Sequence, residues 1–80
     1  MKTENTLTLK ELKEELKELR MCKNNTTMYK HSRLYLKKLR DEAFIKKHDM
    51  RISPETYGDL TEIEFRCTNL ISKMESDYER

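Results

Sequence analysis

An all-α fold, built as a small three-helix bundle or an extended helical hairpin, is what three features of this 80-residue chain predict. The backbone is punctuated by a single Gly and a single Pro, whereas a sheet would need turn residues between its strands. Leu and Ile recur at spacings of three and four residues, which gathers them on one side of a helix. Residues that favour helix caps, Thr8 and Ser53 among them, precede two of these apolar runs. With 35% hydrophobic and 40% charged residues, the chain has room for one domain, over residues 1–80, and a small core. Little apolar surface is left to offset the entropy of ordering, so folding completed by a second copy or a partner is expected.

The first helix is expected near residues 8–23, after a flexible arm over 1–7. In Thr8-Leu9-Lys10-Glu11 the Thr hydroxyl and the Glu carboxylate can satisfy two orphan amides reciprocally, as a capping box. Leu9, Leu12, Leu16 and Leu19 follow as a narrow stripe, the pattern of a coiled-coil seam and one route to a homodimer. Lys10, Lys13, Lys17 and Arg20 border it on one side and Glu11, Glu14, Glu15 and Glu18 on the other. A solvated amphipathic surface is the plainer reading of those borders.

Asn24, Asn25, Thr26 and Thr27 compete with helical backbone bonds and end this helix. Asn25 or Thr26 then caps a second helix expected near 26–47, with Met28, Ser32, Tyr35, Leu36, Leu39 and Ala43 on one face. Leu34 and Ile45 form a second strip well around the cylinder. Two strips predict neighbours on two sides, as for the central helix of a bundle. Lys46 interrupts the main face, so helical order should fail over 46–49.

Ser53-Pro54-Glu55 reads as cap, first helical position and first-turn carboxylate. Gly58 before Asp59 is a second signal, so the third helix is expected from 54 or 59 to 78. Leu60, Ile63, Cys67, Leu70, Ile71, Met74 and Tyr78 give it the broadest apolar face. Its overhanging end is a second candidate surface for self-association.

Charge divides the chain unevenly. Residues 1–21 hold five basic and five acidic groups, 22–52 nine and three, and 53–80 three and seven. An antiparallel pairing of the second and third helices is therefore electrostatically favoured, though exposed pairs contribute little. Arg33, Lys37, Arg40, Lys47 and Arg51, with Lys30 and His48 nearby, make a basic line. Such a line can track phosphates, with Tyr29 or Phe44 stacking on a base, which makes a nucleic-acid-binding regulator the alternative function. The net charge of +2 is small for a dedicated binder of nucleic acid.

Phe44 and Phe65 are the only phenylalanines, and both fall away from the main apolar faces of their helices. An aromatic amid charged residues suits an interface anchor. The candidate partner-binding residues are thus Arg33, Lys37, Arg40 and Phe44, with Phe65 next in line. No catalytic, cofactor-binding or metal-binding residue is expected. Cys22, His31, His48 and Cys67 are separated by nine, seventeen and nineteen residues, which matches no closely spaced zinc-ligand pair. Asp41-Glu42 and Glu62 with Glu64 are the nearest approach to paired carboxylates, and helix geometry points such neighbours apart. One Gly excludes a glycine-rich phosphate cradle.

With no secretory signal and no membrane span, a cytoplasmic location with reduced thiols and no membrane partner is expected. Function follows by elimination: a small non-enzymatic helical protein of the regulatory or interaction class, an adaptor or inhibitor for a larger protein partner. Its economy of size also suits an accessory inhibitor from a mobile element. The basic line and Phe44 point to an acidic protein surface as the target.

Overall fold

The computed structural model describes residues 7–23, 29, 32–49 and 51–79, without the side chains of 49 and 77–79. It is all-α, with three helices in the order α1 (Leu9–Cys22), α2 (Arg33–Asp49) and α3 (Pro54–Glu79). The expected arm over 1–6, the Asn25/Thr26 cap, Met28, Lys30, His31 and the side chain of Tyr78 lie outside the described residues.

Local chemistry accounts for each start. The Thr8 hydroxyl accepts from the Glu11 N–H at 3.1 Å while the Glu11 carboxylate accepts from the Thr8 N–H at 2.9 Å, which is the reciprocal capping box. α1 ends on Lys23, whose left-handed φ of 50° lets its N–H reach the Leu19 carbonyl. The start of α2 departs from the expected one near residue 26. Tyr29 and Ser32 lie outside the helix, and the Ser32 hydroxyl accepts from the Tyr35 N–H at 3.3 Å, so Ser32 is the cap rather than a member of the buried face. α3 starts at Pro54, the earlier of the two sites. The Ser53 hydroxyl accepts from the Thr56 N–H and donates to the Thr56 hydroxyl, while Gly58 sits inside the helix with an ordinary φ.

The core is where the three helices meet. Leu12, Leu16 and Leu19 of α1, Leu36, Leu39 and Ala43 of α2, and Leu60, Ile63, Cys67, Leu70 and Ile71 of α3 are all buried. The stripe of α1 is thus consumed within the protomer and is no longer a dimer seam. Cys22 and Tyr29 join this core. Leu7, expected in the arm, is held instead: it packs on the core, and its N–H donates to Glu42 of α2.

α2 and α3 run antiparallel. The late residue Lys47 of α2 meets Glu64 of α3 at 2.6 Å, and the early residues Arg33 and Lys37 meet the late Glu75 at 3.6 and 3.9 Å. α3, rather than α2, is the helix on which both others pack most closely. The Cα atoms extend 42 × 31 × 17 Å; the last dimension holds about two helix layers, too thin to cover both sides of every helix. Accordingly Leu34 and Ile45, expected to pack on a neighbour, are 73% and 51% exposed. α2 also continues through Lys46 and ends at Asp49.

Two changes test this packing in denaturant melts. Leu70→Ala removes a fully buried side chain and is expected to lower stability by about 2–5 kcal/mol. A Cβ added at Gly58 would meet nothing within 4 Å, so Gly58→Ala is expected to raise stability by up to about 1 kcal/mol through helix propensity.

Candidate functional site

The geometry of α2 separates the basic line into two groups. Lys47 is turned inward: its side chain is 12% exposed, paired with Glu64, and lies 5.3 Å from the centre of the Tyr57 ring. It is therefore a structural cation joining α2 to α3. Arg33, Lys37 and Arg40 remain half-exposed, and Arg51 is exposed. Arg33 and Lys37 both face Glu75 across long, solvated contacts, which contribute little individually. Arg40 stands near Cys67, whose thiol it favours ionising.

Phe44 is 53% exposed and its ring lies 4.5 Å, centre to centre, from that of His48, tilted by 59°. Spacings of four, three and four place Arg33, Lys37, Arg40 and Phe44 along one flank of α2. Beside them, Leu34, Lys38, Asp41 and Ile45 repeat at four, three and four on the outermost face. Leu34 and Ile45 are the residues that sequence reasoning assigned elsewhere. Their spacing revealed a second strip, but only the placement of the other two helices decides that this strip meets water. Phe65, 67% exposed, stands on a different helix.

The other candidates have structural partners. Tyr29, expected to stack on a base, is buried, and desolvation pushes its phenol well above the usual range. Tyr35 donates to Glu15 of α1 at 3.0 Å; burial and that bond push its hydroxyl up to about 12. Cys22 and Cys67 are buried free thiols, and burial raises Cys67 to about 12, which removes the thiolate a nucleophile needs. Among the described residues no three His, Cys, Asp or Glu side chains gather as metal ligands. Glu42 receives the Leu7 N–H.

Glu62 belongs to a clamp between α1 and α3. Arg20 grips it through two hydrogen bonds, at 2.9 and 2.6 Å, and Arg66 donates to it at 2.7 Å. The hydrogen bond from Arg20 is the main cause that holds the Glu62 carboxyl down at about 2, with Arg66 adding to it against the opposing effect of burial.

No family model, curated protein or solved structure matches this chain. The functional reading therefore rests on the chemistry of its surfaces.

Among the described residues no helix is long and apolar enough to cross a membrane. The exposed surface of α2 carries apolar Leu34, Phe44 and Ile45 among Arg33, Lys37, Lys38, Arg40 and Asp41. It pairs an apolar anchor with cations able to bind carboxylates.

The clamp carries a pH signature. Because the Glu62 carboxyl titrates lower in the folded chain than in the unfolded one, its contribution is complete above about 4.5 and is lost as pH falls toward about 2. Melting temperature is expected to fall across that window, and Glu62→Gln to flatten the fall while leaving the rest of the profile intact. A thermal melt series in acid reads both.

Proposed function

We propose that this chain is a non-enzymatic helical binding protein, an adaptor or inhibitor, that takes an acidic protein partner on the outer face of α2. The observation that carries the reading is the exposure of Leu34, Phe44 and Ile45 within a field of half-exposed cations. Phe44 and Ile45 are adjacent near one end of this face and Leu34 stands three turns away, with Arg33, Lys37, Lys38, Arg40 and the exposed Asp41 among them. The apolar spots supply affinity by leaving water. The cations select a partner that carries carboxylates and speed its approach.

A nucleic acid fits this face less well. Glu75 stands against Arg33 and Lys37, and Glu64 occupies Lys47. A continuous phosphate backbone following the line would meet both carboxylates, whereas a protein can place its acids to avoid them. An amphipathic helix or groove with acids around an apolar centre is the matching surface.

The test is affinity capture from native lysate with and without nuclease, using the wild type beside Phe44→Ala and Arg33→Glu/Arg40→Glu. The reading expects a nuclease-resistant protein that both variants lose while remaining folded. With that protein purified, the charge reversal should slow association and change its salt dependence, and Phe44→Ala should chiefly hasten dissociation. Capture abolished by nuclease, or salt-sensitive binding to mixed DNA and RNA, would transfer the face to nucleic acid.

A further inference from the structure

The three helices are not held equally. α3 packs extensively on α2 and more sparingly on α1. The α2–α3 pair also has its own fastenings toward both ends, Lys47 with Glu64 and Arg33 and Lys37 with Glu75, none of which involves α1. α1 is held by its stripe of Leu12, Leu16, Leu19 and Cys22 and, among the described residues, by few polar contacts. The N–H of Leu7, just before the helix, reaches Glu42 at 3.3 Å. Arg20 grips Glu62, but its side chain is 51% exposed, where an ion pair contributes little.

The contact at the middle of α1 is incomplete. Glu15, one residue before the buried Leu16, accepts from the Tyr35 hydroxyl through Oε2 at 3.0 Å. Its Oε1 is shut off from solvent and has no hydrogen-bond partner among the described residues. In water both oxygens are hydrogen-bonded, so docking α1 removes bonds that the folded chain does not replace. That loss exists only while α1 is closed. It acts against the leucine stripe on the same helix.

We infer that α1 is a releasable cover: it lifts from an α2–α3 pair that stays folded, and the Glu15–Tyr35 contact sets how readily it does so. A helix of 14 residues is marginal alone in water, so the released α1 loses its order and its amides meet solvent. Release also bares the apolar side chains of the shared core on the side that α1 closes. This inference is independent of the partner proposed for α2. Phe44 lies on the opposite flank of that helix from Tyr35 and Glu42, which bond to the α1 segment.

Native-state hydrogen exchange at low denaturant concentrations tests it, read by NMR at Leu16 and Leu19 of α1, Leu39 and Ala43 of α2, and Cys67 and Leu70 of α3. In the wild type the α1 amides should be at least about tenfold less protected than the others and respond less steeply to denaturant. Tyr35→Phe leaves Glu15 with neither oxygen paired and should speed α1 exchange about tenfold. Glu15→Leu/Tyr35→Phe removes the polar pair altogether and should slow it below the wild-type rate. Lys47→Ala weakens only the α2–α3 pair, which is present whether α1 is open or closed. It should therefore speed exchange in α2 and α3 about tenfold and leave α1 unchanged. One protection level and one denaturant slope for all three helices would overturn the inference, as would α1 exchange that follows Lys47→Ala or ignores Tyr35→Phe. The wild-type comparison needs no substitution, so it decides the matter even where a variant does not fold.

Discussion

Everything in this small protein depends on one shared aliphatic core that must hold three helices with few apolar residues. Leu12 and Leu19 of α1, Leu36 and Leu39 of α2, and Leu60, Ile63 and Leu70 of α3 have no measurable exposure. A helix as short as α1, at 14 residues, is marginal alone in water, and the helices gain order by burying their stripes in the shared core. That demand fixes which side of every helix faces inward. It also leaves the apolar residues off those stripes with nothing to cover them.

Electrostatics then refines an arrangement that apolar burial has established. The basic α2 lies antiparallel to the acidic α3, with the Lys47–Glu64 pair at one end and Glu75 facing Arg33 and Lys37 at the other. Lys47–Glu64 is the least exposed ion pair among the described residues, where the loss of one partner would leave a poorly solvated charge. The clamp of Arg20 and Arg66 on Glu62 performs the corresponding task between α1 and α3. These contacts define register more than they supply stability.

The two outward faces differ in chemistry, and the difference organises the functional reading. The α2 face combines exposed apolar residues with cations, whereas the exposed residues of α3 between 57 and 72 carry no charge. Phe44, Ile45 and Phe65 stay in water because none of them lies on the stripe that its helix turns toward the core.

What the sequence determined by itself was local and periodic. The Thr8–Glu11 box, the Ser53-Pro54 start and the inward stripes of α1 and α3 were legible because a cap involves residues three apart and a stripe repeats every turn. The exposure of Phe44 and Phe65 was legible for the same reason. The beginning of α2 was not: Asn25, Thr26 and Ser32 can all cap a helix, and Ser32 is the residue that does so. Nor could the sequence tell which of the two apolar strips of α2 would be covered. The docking of α2 on α3, with Tyr35 bonded to Glu15 of α1 and Glu42 to Leu7, decides that, burying Leu36 and Leu39 and leaving Leu34 and Ile45 in solvent. Periodicity specifies the faces a helix has, whereas the number of neighbours available to cover them is a property of the whole fold.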